Sequence, residues 1–179
     1  MYYFINEFNY SHLKNLKQNI SFIWRNKNKE TPLKTLIALL NFCKKSNREL
    51  YIHNNIKLAN KIKADGLYIS ANNKNLLLGT SKFRIKFKIL GSAHNLKEIK
   101  IKEIQNVSEI FLSPLFKVKK NKQLKMYRYL NLRKTTNMKD IALGGIDIKN
   151  IKELKLIRPF GFAGISFFEQ KKGPWKGAF

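Results

Sequence analysis

The sequence predicts an α/β fold, a compact (β/α)8 barrel on a parallel sheet whose final helix is short or missing. Three observations point there. Short β-rich apolar runs alternate with segments of helical period along the whole chain. Two late runs, IALGGI at 141–146 and GFAGIS at 161–166, are apolar and end in small residues, as buried parallel strands do when they feed a tight turn. The 179 residues fall below the ~200 at the usual lower end for this fold, but eight units of roughly 5 strand, 11 helix and 6 loop residues need only about 176. One domain over 1–168 is expected, with a basic tail at 169–179.

The elements follow in order. Residues 2–5, aromatic and β-branched, form a first strand, with Leu13 and Leu16 on a short helix after it. Residues 20–24 form a second strand and place Trp24 in the core. Thr31 and Pro32 read as N-cap and first residue of a helix, whose apolar face is Leu33, Leu36, Ile37, Leu40 and Cys43. Residues 50–52 make a third strand followed by His53, Asn54 and Asn55, then a helix marked by Ile56, Ala59 and Ile62. Residues 67–69 are a fourth strand and 70–75 a polar loop. Residues 87–90 are a fifth strand with a turn at 91–94. Asn95 caps the next helix, with Glu98 as its N3 partner and Leu96, Ile99 and Ile104 facing inward. Residues 107–112 are a sixth strand, 115–125 a basic loop, and Leu124, Tyr127, Leu130 and Leu132 an irregular helix. Strand seven spans 141–143, a helix 148–157, and strand eight 160–165.

In such barrels the active face lies at the C-terminal strand ends, and the last two strands commonly hold phosphate on backbone N–H groups. Gly144 and Gly145, with Ser166 in the partner loop, are therefore phosphate candidates. His94 ends the fifth strand, where a neutral imidazole can move a proton near pH 7. His53 ends the third strand as well.

The net charge is +25, and nearly all of it is lysine. Asn and Ile are abundant too, and all three share A/T-rich codons, so the charge reads as compositional bias dispersed over the outer helices. Nucleic-acid readers favour the bidentate guanidinium, and only six arginines are present: Arg25, Arg48, Arg84, Arg128, Arg133 and Arg158. Nucleic acid is not expected as a partner. Cys43 is the single cysteine, which excludes an internal disulfide and a cysteine metal cluster. No basic leader and no long apolar run is present, so the expected setting is the cytoplasm, away from membranes.

Several strand ends match one family together. YIHNNIKLANKIKADGLYIS at 51–70, LGSAHN at 90–95, IFLSPLF at 110–116, IALGGI and GFAGIS resemble the thiamine-phosphate synthase and TenI superfamily over about 20–168. The resemblance implies a TIM barrel and a role in thiamine biosynthesis. One branch is a transferase that couples a pyrimidine pyrophosphate to a thiazole phosphate with Mg²⁺, and another tautomerises the thiazole phosphate. It implies that Arg25 and Lys27 handle pyrophosphate. Gly145, with Ile165 and Ser166, would hold the thiazole phosphate, and Ser92 and His94 would be the catalytic Ser-x-His pair. The chain also departs from the pattern. Ile23 replaces a glutamine, and Asn54 and Asn73 stand where the synthases place magnesium carboxylates. Lys117, Val118, Lys119 and Lys120 replace a threonine-rich loop. Neutral amides serve a hard dication poorly.

The resulting expectation is a thiamine-phosphate synthase-like protein that takes a phosphorylated small molecule. It has no tightly bound cofactor, and magnesium arrives only with the substrate pyrophosphate. A metal-independent tautomerase using His94 and a non-catalytic ligand- or nucleic-acid-binding barrel are the alternatives. The oligomeric state is left open. If the charge is compositional, an electrophoretic shift assay at about 0.15 M salt should show no tight duplex complex. A tight complex with a steep salt slope would overturn that reading.

Overall fold

Eight four- to six-residue strands close a barrel because each is followed by a connection just long enough to return the chain to the same end of the sheet. The computed structural model describes residues 1–25, 32–80, 84–118 and 123–169. Lys27, Thr31, Lys119, Lys120 and nearly all of the basic tail lie outside them. The strands are β1 Tyr2–Ile5, β2 Ser21–Trp24, β3 Leu50–His53, β4 Gly66–Ile69, β5 Lys88–Ala93, β6 Glu109–Leu112, β7 Lys139–Leu143 and β8 Gly161–Gly164. Each pairs in parallel with its sequence neighbours, and Tyr2 and Tyr3 of β1 close the ring against Ala163 and Gly164 of β8. The helices are α1 Tyr10–Lys14, α2 Leu33–Lys45, α3 Ile56–Lys61, α4 Leu96–Ile104, α5 Lys125–Arg133, α6 Leu154–Ile157 and α7 Ser166–Glu169. Among the described residues the connections also hold two 3₁₀ turns, Leu76–Thr80 and Ile151–Glu153.

Alternation along each strand sends one set of side chains into the barrel and the other against the helices. The interior is aromatic. Phe111 sits 5.0 Å from Tyr2 and 5.1 Å from Tyr68, and Phe4 sits 5.1 Å from Tyr68, ring centre to ring centre. Ile23, Leu90, Ile141 and Ala163 fill the remaining interior space. At the N-terminal end this core gives way to a polar plug. Tyr2 donates to Glu109 (2.7 Å), and Tyr51 and Lys88 donate to Glu49 (2.8 and 2.5 Å). Burial first, then Glu109 and Glu49 for Tyr2, and Tyr2 and Glu49 for Tyr51, hold both hydroxyls far above the ordinary phenol range, so both remain donors.

The helices cover the outside with fewer apolar residues than the sequence suggests. On α2 the buried residues are Leu36, Leu39, Leu40 and Cys43, while Leu33 and Ile37 are exposed. Pro32, not Thr31, holds the N-cap position. On α4 Leu96 and Ile104 face solvent, and the inward face runs Ile99, Lys102, Gln105. On α5 Tyr129 replaces Tyr127 inside, where its hydroxyl donates to the buried Asp140 (2.8 Å). The helix expected over 148–157 is split into a 3₁₀ turn and the four-residue α6, which ends at Arg158 in the left-handed region (φ 43°). The last helix, α7, is likewise four residues long. Exposed lysines are spread over α2, α4 and α5, at Lys34, Lys44, Lys45, Lys97, Lys100 and Lys125. No helix among the described residues is long and apolar enough to cross a membrane.

The five-residue α1 is held from β3's side. Buried Arg48 donates to the carbonyls of Leu13 (2.8 Å) and Leu16 (2.5 Å) and lies over the Phe22 and Phe42 rings. Arg48→Ala leaves both carbonyls without that donor. It should destabilise the fold by about 2–4 kcal/mol, read as a lower urea midpoint at unchanged m-value.

Candidate active site

The C-terminal strand ends enclose a cavity of about 420 Å³. Contributions come from β2 (Arg25), β3 (His53), β5 (Ser92), β7 (Gly144, Gly145) and β8 (Ile165, Ser166), together with the loops that follow. His94 and Val118 line the same space, whereas Asn54, Asn73 and Lys117 are not in its lining. The fifth strand is longer than expected: Gly91, Ser92 and Ala93 belong to β5, and Ser92 is an interior, buried side chain.

Gly144 and Gly145 both have positive φ (94° and 69°). A side chain there meets a second obstacle. A Cβ on Gly144 would sit 2.6 Å from the Cα of Pro114, and one on Gly145 would sit 2.9 Å from the Lys117 carbonyl oxygen. The strand-seven turn is therefore pressed against the loop after β6, and only glycine permits both the backbone and the approach. Asn150 donates to the Gly145 carbonyl (2.7 Å) and fixes the plane of that peptide. Across the cavity rim Ile165 and Ser166 follow β8 and open α7.

His94 is positioned by the start of α4. Asn95 accepts from the Glu98 N–H (3.0 Å) and donates to its carboxylate (3.0 Å), and that carboxylate also accepts from the His94 N–H (2.6 Å). This is the capping box the sequence predicts, extended by one residue. Nδ1 of His94 lies 2.6 Å from the Ser113 carbonyl oxygen. A carbonyl only accepts, so Nδ1 carries a proton, and in the neutral ring Nε2 keeps its lone pair. Ser92 lies beside the Tyr68 phenol. Burial pushes that phenol up to about 12, with the Ser92 hydroxyl pulling in the other direction, so Tyr68 is a donor in the cavity wall.

Asn54 was not expected to do what it does. Its Oδ1 accepts from the Ser70 N–H (2.9 Å) and from Asn73 Nδ2 (3.3 Å), and its Nδ2 donates to Ser70 Oγ (2.8 Å) and His53 Nε2 (3.3 Å). All four hydrogen-bonding positions of the amide are used. The amide joins the end of β3 to the loop after β4. An NH₂ group only donates, so His53 accepts at Nε2 and is neutral. Burial, then the Arg25 charge, lowers its pKa, and its ring stacks on Tyr68 (5.7 Å). The two positions mapped to metal carboxylates are thus neutral amides bonded to each other. No group of three or more His, Cys, Asp or Glu that could hold a metal occurs among the described residues. That donor set does not fit magnesium.

The sequence of residues 14–168 matches the family described as thiamine monophosphate synthase. The chain belongs to that family. It is 29% identical over 157 residues to the thiamine-phosphate synthase of Pelagibacter ubique (83% of this chain, 74% of the relative). It is 26% identical over 153 residues to that of Flavobacterium psychrophilum (78% and 72%). Among solved structures, the thiamine phosphate pyrophosphorylase from Pyrococcus furiosus superposes with a TM-score of 0.72 at 15% identity, covering 92% of this chain and 85% of that one. The protein is thiamine-phosphate synthase-like, and the family's substrates are phosphorylated small molecules.

Gly145→Ala is expected to lower stability by about 1–3 kcal/mol through backbone strain. It should also abolish any rise in melting temperature that inorganic phosphate gives the parent protein. A phosphate-induced shift of parental size in the variant would contradict a phosphate site at this turn.

Proposed function

We propose that the protein is a thiamine-phosphate synthase-type transferase that holds a phosphorylated thiazole at the backbone N–H groups around Gly145, Ile165 and Ser166. The observation that carries this reading is the placement, around one cavity, of the strand-seven glycine turn and Ser166 together with Arg25 and the Ser92–His94 pair. The volume, about 420 Å³, suits a small phosphorylated ligand. In the coupling reaction the thiazole nitrogen attacks the pyrimidine CH₂. The bond from that carbon to the pyrophosphate oxygen breaks, and pyrophosphate leaves with the electron pair. Arg25 stabilises the developing negative charge, joined by Lys27 on the same connection. Ser92 and Tyr68 supply hydroxyl donors in the wall. Asn54 and Asn73 supply no carboxylate for magnesium, so the ion enters, if at all, as the counter-ion of the pyrophosphate.

A second reading is supported by His94. With its proton on Nδ1 facing the Ser113 carbonyl, its free Nε2 is arranged to accept a ring proton, as a tautomerase acting on the thiazole phosphate requires. That activity needs no metal.

Two assays separate the readings: pyrophosphate release from the two precursors, and thiazole proton exchange followed by NMR. The coupling reading expects pyrophosphate release by the parent protein, and expects Asn54→Asp with Asn73→Asp to raise its metal-dependent part. His94→Ala should slow proton exchange by about 10²-fold or more if the tautomerase reading holds. Robust parental turnover with a metal located on Asn54 or Asn73 would contradict the altered-magnesium reading. Absence of both activities would contradict the enzyme assignment.

A further inference from the structure

Lysine is almost never fully buried, yet Lys102 on α4 has 0% exposure. Its Nζ donates to the Asn73 carbonyl (2.8 Å) and to Gln105 Oε1 (2.8 Å). Gln105, equally buried, donates through Nε2 to the carbonyls of Asn73 (3.1 Å) and Asn75 (3.0 Å). Two side chains on one helix face therefore make three hydrogen bonds to one loop, the segment between β4 and its 3₁₀ turn. The Lys102 stem reaches that loop over β5, where a Cβ on Gly91 would lie 2.9 Å from Lys102 Cδ. Gly91 pairs with Ile69, the last residue of β4. The missing side chain in β5 is the notch through which the lysine passes to the end of the neighbouring strand.

The other side of the same loop faces the cavity. Ser70, Ala71 and Asn72 line it, and Asn73 reaches across to Asn54. We propose that Lys102 and Gln105 are positioning residues, which hold residues 70–75 so that this loop forms the β4 wall of the active site and keeps Asn73 against Asn54. They touch no substrate and act through the loop backbone. A methionine at 102 would fill similar space without placing a charge in the interior. The charge does carry a penalty: burial lowers the Lys102 pKa to about 8, with Glu98 opposing it. What the ammonium supplies in return is a hydrogen-bond donor to the Asn73 carbonyl. The importance of the wall for turnover rests on the functional reading above, whereas the anchoring of the loop does not.

The test is hydrogen–deuterium exchange on the full chain at neutral pH without ligand, comparing the parent with Lys102→Met, Gln105→Met and Ile99→Val. Ile99 shares the inward face of α4 but bonds to nothing in the loop, so Ile99→Val reports loss of helix packing alone. In Lys102→Met and Gln105→Met, amides of a peptide covering 70–78 should exchange about tenfold faster or more, with α2 unchanged, and Ile99→Val should leave that peptide at the parental rate. If Lys102→Met fails to fold, Gln105→Met carries the comparison. Parental exchange of the loop in the folded variants, or equal acceleration in Ile99→Val, would overturn the proposal. In proteins that turn over the precursors, the loop variants should raise KM about fivefold or more with a smaller change in kcat. A parent protein without turnover counts against the functional reading only, and the exchange comparison still decides this one.

Discussion

Closing eight strands into a ring with so little chain is the constraint from which the other features follow. The Tyr2–Ala163 and Tyr3–Gly164 pairs join β1 to β8, and a chain of 179 residues leaves several connections little length for a helix. Three helices are therefore only four or five residues long, too short to be stable alone. The shortage is met by side chains that reach between elements. Arg48 ties α1 to the start of β3, Tyr129 meets Asp140 beneath α5, and Tyr2 and Tyr51 close the barrel floor on Glu109 and Glu49. The interior is correspondingly aromatic, because a few large rings fill a small ring of strands with few residues.

The same economy shapes the active face. His94 owes its place to a capping box whose glutamate reaches one residue further back, so one carboxylate both starts α4 and aims the imidazole. The β3 and β4 ends are joined by a fully used amide at Asn54, backed from outside by Lys102 and Gln105. An aspartate at 54 could still accept from Ser70 but could no longer donate to His53, so the amide is matched to its neighbours. Among the described lining residues the positive charge at the mouth is that of Arg25, since burial and that same arginine favour a neutral His53.

Much of this was legible in the sequence because period and punctuation are local. Eight strands, the glycine turn at 144–145 and the Asn95–Glu98 cap follow from short-range patterns, and the family motifs fall on the strand ends that form the cavity. The inward face of α4 was not legible. Apolar periodicity selected Leu96, Ile99 and Ile104, whereas the buried positions are Ile99, Lys102 and Gln105. Two of the three are polar because their partners are loop carbonyls about thirty residues earlier, a contact no local pattern records. The Asn54–Asn73 pairing was hidden for the same reason. The sequence has amides at 54 and 73, where the resemblance implies carboxylates, and only the structure shows that the two amides are bonded to each other.

The central claim is that hydrogen bonds from the protein's own side chains, and not a bound dication, join the β3 and β4 ends of the mouth. Titration of the substrate-free protein with Mn²⁺, followed by electron paramagnetic resonance, tests it most directly, because a bound ion loses the sharp signal of the free aquo ion. The account predicts no stoichiometric site in the parent protein. A single site in the parent that is lost on Asn54→Ala or Asn73→Ala would contradict it.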